Sequence, residues 1–380
     1  MPEPDLDAVR THLGRLGQQP GPVEVGAALR SLGMLVSDSA VRSTVAALRR
    51  ESVGAGVLEP LLALPGVTDV LVNGPDHVYL DRGGGLEPAG VRFASEAELR
   101  RLAVRLAASV GRRLDDGSPF VDARLPNGVR VHAVLPCLAD TGTCLSLRVP
   151  NRQRLGLHDW VASGSVSADA AKLLAGLVAA RRAFLISGGT GSGKTTLLGA
   201  MLAQVPPDER IVVVEDSREL QPEHPHCVRL EARPPNAEGA GAVTLTDLVR
   251  QALRMRPDRI VVGEVRGGEL ADLLRAMNTG HEGGCGTVHA NSAADVPARL
   301  EALGALGGLE RDALHAQLGA ALRVLIHVRR LPAGRRWVDE IQLVEPSPDG
   351  RCRTVPAVRF SAEGAVPGPG FDELMALAAS

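Results

Sequence analysis

Nine consecutive residues constrain this chain more than any other stretch: Gly188-Gly189-Thr190-Gly191-Ser192-Gly193-Lys194-Thr195-Thr196. They fit the phosphate-loop pattern of a glycine, four free positions and then Gly-Lys-[Ser/Thr]. The apolar run Ala183-Phe184-Leu185-Ile186 precedes them and Leu197-Leu198-Gly199-Ala200-Met201-Leu202 follows, so the loop joins a buried strand to a helix. The chemistry explains the residue types. Glycines let backbone N–H groups close around phosphates, and a helix N-terminus adds positive potential. The Lys194 ammonium can reach the β- and γ-phosphates, and the Thr195 hydroxyl can ligate Mg²⁺. Residues Gly188 to Thr196 are therefore expected to hold ATP with Mg²⁺. Lys194 and Lys172 are the only lysines in a chain with 42 basic residues, so a lysine at this position is not incidental.

The flanking pattern extends the fold. Helix-like periodicity over 167–181, 194–203 and 244–255 alternates with strand-like runs over 183–187, 210–215 and 259–263. That alternation predicts an α/β domain over 166–360, with a largely parallel sheet covered by helices on both faces. Strands at 322–329 and 336–344 around Pro332-Ala333-Gly334 read as a hairpin at the sheet edge, and 361–380 as a loosely ordered tail. Upstream, 51–150 reads as a smaller α+β domain. Its signs are an amphipathic helix from Glu96 to Ser109, the turns Asn73-Gly74-Pro75 and Pro126-Asn127-Gly128, and short strands between them. Residues 1–50 read as a helical arm and 151–165 as a linker or hinge.

Two β-branched runs end in carboxylates: Ile211-Val212-Val213-Val214-Glu215-Asp216 and Ile260-Val261-Val262-Gly263-Glu264. Ligands of parallel sheets bind beyond the carboxyl ends of strands, so both acids are expected to face the phosphate loop. Hydrolysis needs one carboxylate on the metal and one to orient or deprotonate water. Glu264 is assigned to the metal, with Thr195, and Glu215 to the water; Asp216 and Glu219 are weaker candidates. His281 and His289 flank a glycine-rich segment. His289 ends a Thr-Val-His strand where an imidazole could sense the γ-phosphate or bridge Glu264; His281 reads first as a structural histidine. Neither pair nor His224-Pro225-His226-Cys227 has zinc spacing.

Composition narrows the remaining classes. A chain of 380 residues suits two domains. With 44% hydrophobic and 23% charged residues it can bury a core, and no window is apolar enough to span a bilayer. Five cysteines without a C-x-x-C pair argue against a disulfide framework and for a reducing cytosol. The net charge of −2 and 2% aromatics give little basis for gripping nucleic acid, so no nucleic-acid partner is expected. The predominance of arginine reads as a coding bias rather than selection for anion binding.

Beyond the loop, several blocks taken together carry a family resemblance. They are Leu58-Glu59-Pro60-Leu61-Leu62, Val72-Asn73-Gly74-Pro75, Gly111-Arg112-Arg113-Leu114-Asp115 and Val121-Asp122-Ala123-Arg124-Leu125-Pro126-Asn127-Gly128-Val129-Arg130-Val131. Further on come Leu253-Arg254-Met255-Arg256-Pro257-Asp258, Glu264-Val265-Arg266-Gly267 and Ala276-Met277-Asn278-Thr279-Gly280-His281-Glu282-Gly283. The chain resembles the type II/IV secretion ATPase superfamily, and within it the CpaF-like ATPases of tight-adherence (Flp) pilus assembly. The resemblance implies a RecA-like ATPase domain behind a smaller α+β (PAS-like) domain, assembled as a homo-hexamer. It places a catalytic glutamate at Glu215, a Walker B acid at Glu264 and a histidine box from His281 to His289. It also implies arginines from the N-terminal domain at the γ-phosphate, with Arg124, Arg130 and Arg148 in the matching region and Arg130 and Arg148 favoured. The implied partner is an inner-membrane platform protein, with the motor at the cytoplasmic face of that membrane. Cys285-Gly286 stand where the family more often has Ser or a bulkier residue, which predicts a looser histidine box. A RecA-like nucleic-acid translocase and a small-molecule kinase are the alternative functions.

Overall fold

A computed structural model describes residues 54–150, 155–235, 239–280, 283–331, 334–361 and 364–379, with 9, 12–13, 21–34, 36–42 and 44–45 of the amino-terminal region. His281, Glu282, Pro332 and Ala333 lie outside the described residues. The chain divides into two compact units, Met1–Asn151 and Arg152–Ser380.

In the first unit, helix α1 (Pro22–Ser31) buries Val25, Ala28 and Leu29. They form a small apolar cluster with Val9, Leu13 and Val45. A short helix α2 (Glu59–Leu62) leads into strands β1 (Asp69–Asn73), β2 (Val78–Asp81) and β3 (Leu86–Pro88). Helix α3 (Glu96–Ala108) follows, capped by the Ser95 hydroxyl on Glu98 N–H, and its Leu99, Leu102, Ala103 and Leu106 are buried. Strands β4 (Phe120–Arg124), β5 (Arg130–Val134) and β6 (Cys144–Arg148) complete an antiparallel sheet of order β3-β2-β1-β6-β5-β4. Alternate residues such as Val131, Ala133, Leu145 and Leu147 are buried in its core, so Arg130 and Arg148 face outward.

The second unit begins with helix α4 (Leu157–Ala162), then α5 (Ala168–Ala179), β7 (Phe184–Gly188) and α6 (Lys194–Leu202). Strands β8 (Ile211–Glu215) and β9 (Cys227–Glu231) precede helix α7 (Leu245–Ala252), which is followed by β10 (Arg259–Val262), α8 (Glu269–Met277) and β11 (Cys285–His289). Two helices, α9 (Val296–Leu306) and α10 (Arg311–Ala321), lead to β12 (Val324–Arg330), β13 (Arg336–Pro346), β14 (Cys352–Ser361), β15 (Gly364–Pro367) and a last helix, α11 (Phe371–Ala379). Among the described residues the sheet order is β15-β14-β13-β12-β7-β11-β10-β8-β9. From β12 to β9 every pairing is parallel, and from β12 outward to β15 every pairing is antiparallel. The fully buried strands alternate between two cores. Phe184, Ile186, Ile211 and Val213 face one side; Leu185, Val212 and Val214 face the other. This is the α/β architecture that the alternating pattern predicts.

Three expectations change. Residues 361–380 are not a loose tail: β15 extends the sheet, and α11 buries Leu374 and packs on α5, where Arg182 Nε donates to Leu377 O. The 322–344 hairpin is not at the edge, because β14 and β15 cover β13 on its outer side. Within the expected linker, Leu157 and Trp160 are buried in the second unit's core, so 157–162 are helix rather than hinge. In each case buried apolar side chains override the local Gly/Pro and polar signal.

At the amino ends of the strands a buried ion pair ties three segments together. Arg259, 1% exposed, donates through Nε to Glu209 Oε2 at 2.6 Å and through Nη2 to Val178 O at 2.8 Å. Arg181 Nε donates to the other Glu209 oxygen at 3.1 Å. Removing one partner of a buried pair leaves a desolvated charge. Arg259→Ala is expected to destabilise the protein by about 3 kcal/mol, read as a lower urea midpoint. A midpoint unchanged from wild type would show that Arg181 alone satisfies Glu209.

Candidate functional site

Strand order builds the site. The carboxyl ends of β7, β11, β10 and β8 lie side by side in that order. Gly188 is level with His289 across β7 and β11, and Gly263 N–H donates to Val214 O beside Glu215. Residues 188, 289, 264 and 215 thus follow one another along a single edge, although they are far apart in sequence.

The phosphate loop has the backbone its glycines predict. Gly188, Gly191 and Gly193 have φ of +155°, +70° and +97°. A Cβ on Gly188 would also collide with Val328 O of the neighbouring strand. Helix α6 starts at Lys194, with its free N–H groups toward the loop. Lys194 is 7% exposed. Its Nζ donates to Gly188 O at 3.0 Å and Gly189 O at 2.9 Å, and lies 3.3 Å from His289 Nδ1. Burial holds the ammonium below its ordinary pKa, against the pull of Glu264.

From Lys194 a polar chain runs along the edge. His289 Nε2 is 2.9 Å from Glu264 Oε1. Arg266 Nη2 donates to Glu264 Oε2 at 2.6 Å, and Arg266 Nη1 to Asp216 Oδ2 at 3.2 Å. A neutral ring with its proton on Nε2 satisfies both neighbours of His289, and burial and Lys194 together lower its pKa. For Glu264, burial pushes upward, but Arg266, His289 and Lys194 outweigh it and hold the carboxyl below the usual range. The Glu264 turn is pinned to β11 by Thr287 Oγ1, which donates to Gly263 O at 2.7 Å.

Glu215 occupies a different environment. It is 3% exposed. Its Oε1 accepts from Glu219 N–H at 3.1 Å and Leu220 N–H at 2.9 Å, while Oε2 has no partner. Burial raises its pKa from 4.5 to about 7, despite those two backbone donors. Its side chain lies across Gly263, where a Cβ would come within 2.5 Å of Glu215 Cγ. One acid is thus ionised and paired, and the other is buried with a bare oxygen and a pKa near neutrality, the separation that distinguishes metal-side and base roles.

The described strand of the histidine box, Cys285–His289, is not loose. Cys285 to Val288 are buried between β7 and β10, and a Cβ on Gly286 would come within 2.6 Å of Val262 O. Glycine is what allows the two strands to approach. Thr190, Ser192, Thr195 and Thr196 lie in the loop and first turn of α6; Ser192 Oγ donates to Gly189 O at 2.9 Å, closing the loop on itself.

In the first unit, Arg124, Arg130 and Arg148 are direct cross-strand neighbours, ending on Asp69 of β1. Two further arginines went unassigned in sequence. Arg266 stands two residues past Glu264 in the strand-end motif, which was its only signal. Arg336 of β13 donates through Nη1 to Thr196 Oγ1 at 3.3 Å; it reads in sequence only as part of the edge hairpin.

The oxygen donors at this edge, the Thr195 hydroxyl and the Glu264 carboxylate, are of the hard type that suits Mg²⁺. The glycine loop and exposed helix N-terminus suit a phosphate. The family model described as "Type II/IV secretion system protein" matches residues 51–352. A "Putative conjugal transfer protein" of Mycobacterium tuberculosis is 57% identical over 327 residues, covering 84% of this chain and 93% of that one. The conjugal transfer protein TrbB of Rhizobium radiobacter is 32% identical over 282 residues, 73% of this chain and 84% of that one. The fold is shared with the ATPase DotB of Yersinia pseudotuberculosis, at a TM-score of 0.53 and 18% identity over 81% of this chain and 78% of that one. With its phosphate loop, strand-end acids and RecA-like sheet, the chain belongs to the type II/IV secretion ATPase family.

Proposed function

We propose that the protein is an Mg²⁺-dependent ATP-hydrolysing motor that works as a homo-hexamer and powers assembly of a tight-adherence (Flp-type) pilus. The observation that carries the reading is the edge from Lys194 through His289 to Glu264, with Glu215 beside it on β8. It holds a cation for phosphates, an ionised acid for a metal and a near-neutral buried acid for a water. Membership of the type II/IV secretion ATPase family supports a secretion or pilus machine as the setting, and so do relatives named as conjugal transfer proteins.

The residues divide the work as follows. Backbone N–H groups from Gly189 to Thr196 cradle the phosphates, and Lys194 exchanges its loop carbonyls for phosphate oxygens. Thr195 and Glu264 would hold Mg²⁺, which would supply charge neutralisation at the phosphates. Glu215 Oε2 accepts a proton from the attacking water. His289 links Lys194 to Glu264, so that a change at the γ-phosphate reaches the metal side. Arg130 and Arg148 supply positive charge for the γ-phosphate in the assembled ring. Among the described residues no helix is long and apolar enough to cross a membrane. We place the motor at the cytoplasmic face of the inner membrane, held there by a platform protein.

Steady-state hydrolysis tests the reading in three arms: protein alone, protein with single-stranded DNA, and protein with the detergent-solubilised platform protein. Stimulation by the platform protein alone is expected. Stimulation by DNA alone would replace the pilus motor with a nucleic-acid translocase while leaving the nucleotide site intact.

A further inference from the structure

Strand β12 lies along β7 in parallel, and their last paired residues are His327 and Ser187. Directly after this pair β12 bulges, between His327 and Val328, and β7 ends at Gly188, the first residue of the phosphate loop. The two strands therefore part at this pair. A hydrogen bond spans the fork: Ser187 Oγ is 2.9 Å from His327 Nδ1. Both side chains are buried. The other acceptor in reach of the hydroxyl, Ile326 O, is 3.5 Å away, so the O–H donates to the ring. Burial holds the imidazole pKa below its ordinary value, with Arg329 and Lys194 adding to the effect against the pull of Glu340 and Asp339. The ring is thus neutral, with Nδ1 as an acceptor.

Stability does not call for a polar pair here. Two residues earlier the same strands carry Leu325 opposite Leu185, and on its other side Ser187 is level with Val288. All three belong to one apolar core. Apolar groups in place of both partners would cost little, whereas removing one partner would leave the other buried and unsatisfied. What the pair adds is direction. It ties down Ser187 at the residue before the loop departs. Gly188, next in the chain, is confined between Val328 O and Ser192 Oγ, each within 2.7 Å of where a Cβ would stand. Gly188 O accepts from Lys194 Nζ at 3.0 Å. A line of contacts therefore runs from His327 through Ser187 and Gly188 to the ammonium. On the opposite side His289 of β11 stands level with Gly188, so the strand that feeds the loop has a histidine on each flank.

We propose that His327 is a positioning residue for the phosphate loop: by holding Ser187 it fixes the direction in which the loop leaves the sheet, and so how the loop's backbone N–H groups meet the phosphates of the nucleotide. Such groups act only when held in place, because a shift of about 1 Å is enough to weaken a site of this kind. The proposal rests on the nucleotide-binding reading of the loop.

The test is equilibrium binding of N-methylanthraniloyl ADP, with Mg²⁺, by the full chain and by S187A, H327L, the S187A/H327L double variant and H327N, each alongside its melting temperature without nucleotide. S187A and H327L are expected to bind about tenfold more weakly, the scale of one hydrogen bond. The double variant should lose no more affinity than H327L, because both changes remove the same bond. It should nevertheless melt above H327L and close to wild type, since neither polar partner is left alone. H327N, whose amide oxygen can stand where Nδ1 stood, should recover most of the affinity. In hydrolysis, KM for ATP should rise by more than kcat falls. Wild-type affinity in S187A and H327L alike, even with lower melting temperatures, would make the pair merely structural and overturn the proposal. Losses that add in the double variant, or an H327N as weak as H327L, would do the same. Should H327L not fold, a loss in S187A with near wild-type affinity in H327N supports the proposal, and wild-type affinity in both overturns it. If wild type itself does not bind the probe, the nucleotide reading fails and takes this proposal with it; binding by wild type and variants alike removes the proposal alone.

Discussion

Glu215→Gln is expected to lower kcat by about 10²- to 10⁴-fold, the usual contribution of a positioned general base, and at the same time to stabilise the protein in alkali. The two effects share one cause. Glu215 is buried with a bare Oε2, and its pKa is raised from 4.5 to about 7. Because the folded-state value lies above the unfolded one, the stability contributed by the protonated acid is fully present below about pH 4.5. It is lost as pH rises through about 7, when the fold must carry a desolvated charge. Glutamine keeps the shape and the acceptor for Glu219 and Leu220 N–H without the charge. Relative to wild type, the variant should therefore gain up to about 3 kcal/mol between pH 4.5 and pH 8. Melting curves at those two pH values check the stability, and single-turnover hydrolysis checks the rate. Hydrolysis within a few-fold of wild type would remove Glu215 from the base role. A melting difference that did not change with pH would show that no charge is buried there.

Lys194→Ala is expected to reduce hydrolysis by at least about 10³-fold, the scale for removing a preorganised charge from a phosphoryl-transfer site. Fluorescent ATP binding should fall with it. The fold should survive, because burial of the ammonium already works against its charged form, and the alanine leaves Gly188 O and Gly189 O open to water at the loop. An apo melting temperature within a few degrees of wild type, with hydrolysis lost, is the expected pair of results. Retained turnover would exclude the loop as the site of chemistry.

Much of this site was legible before any coordinates. Local signals suffice where function depends on a contiguous backbone. Gly188 to Thr196 must adopt positive φ at set places and open a helix, so glycine spacing and one lysine disclose the loop. Strand ends are nearly as readable, because runs such as Ile211-Val212-Val213-Val214 are apolar on both faces and stop at Glu215. The side chains that β12 and β13 bring to the loop were not legible. His327 and Arg336 lie more than 130 residues after Lys194, in a segment whose turn residues read as an edge hairpin. The same misreading released 361–380 as a tail, since its Gly and Pro outweigh the few apolar residues that seat α11 on α5 and β14.

Sequence alone therefore determined the chemistry of the parts: a loop for phosphates, two acids at strand ends, a histidine at a third and an α/β sheet to hold them. Tertiary structure decided their order and their charge states. Strands that follow one another as β7, β8, β10 and β11 in the chain lie as β7, β11, β10 and β8 in the sheet. That order brings His289 between Lys194 and Glu264 and sets Glu215 beyond them. The turns after each strand give Arg266 to Glu264 and backbone N–H groups to Glu215. Two glutamates that look alike in sequence thus diverge in pKa, because the depth of burial and the charges packed around each carboxylate differ.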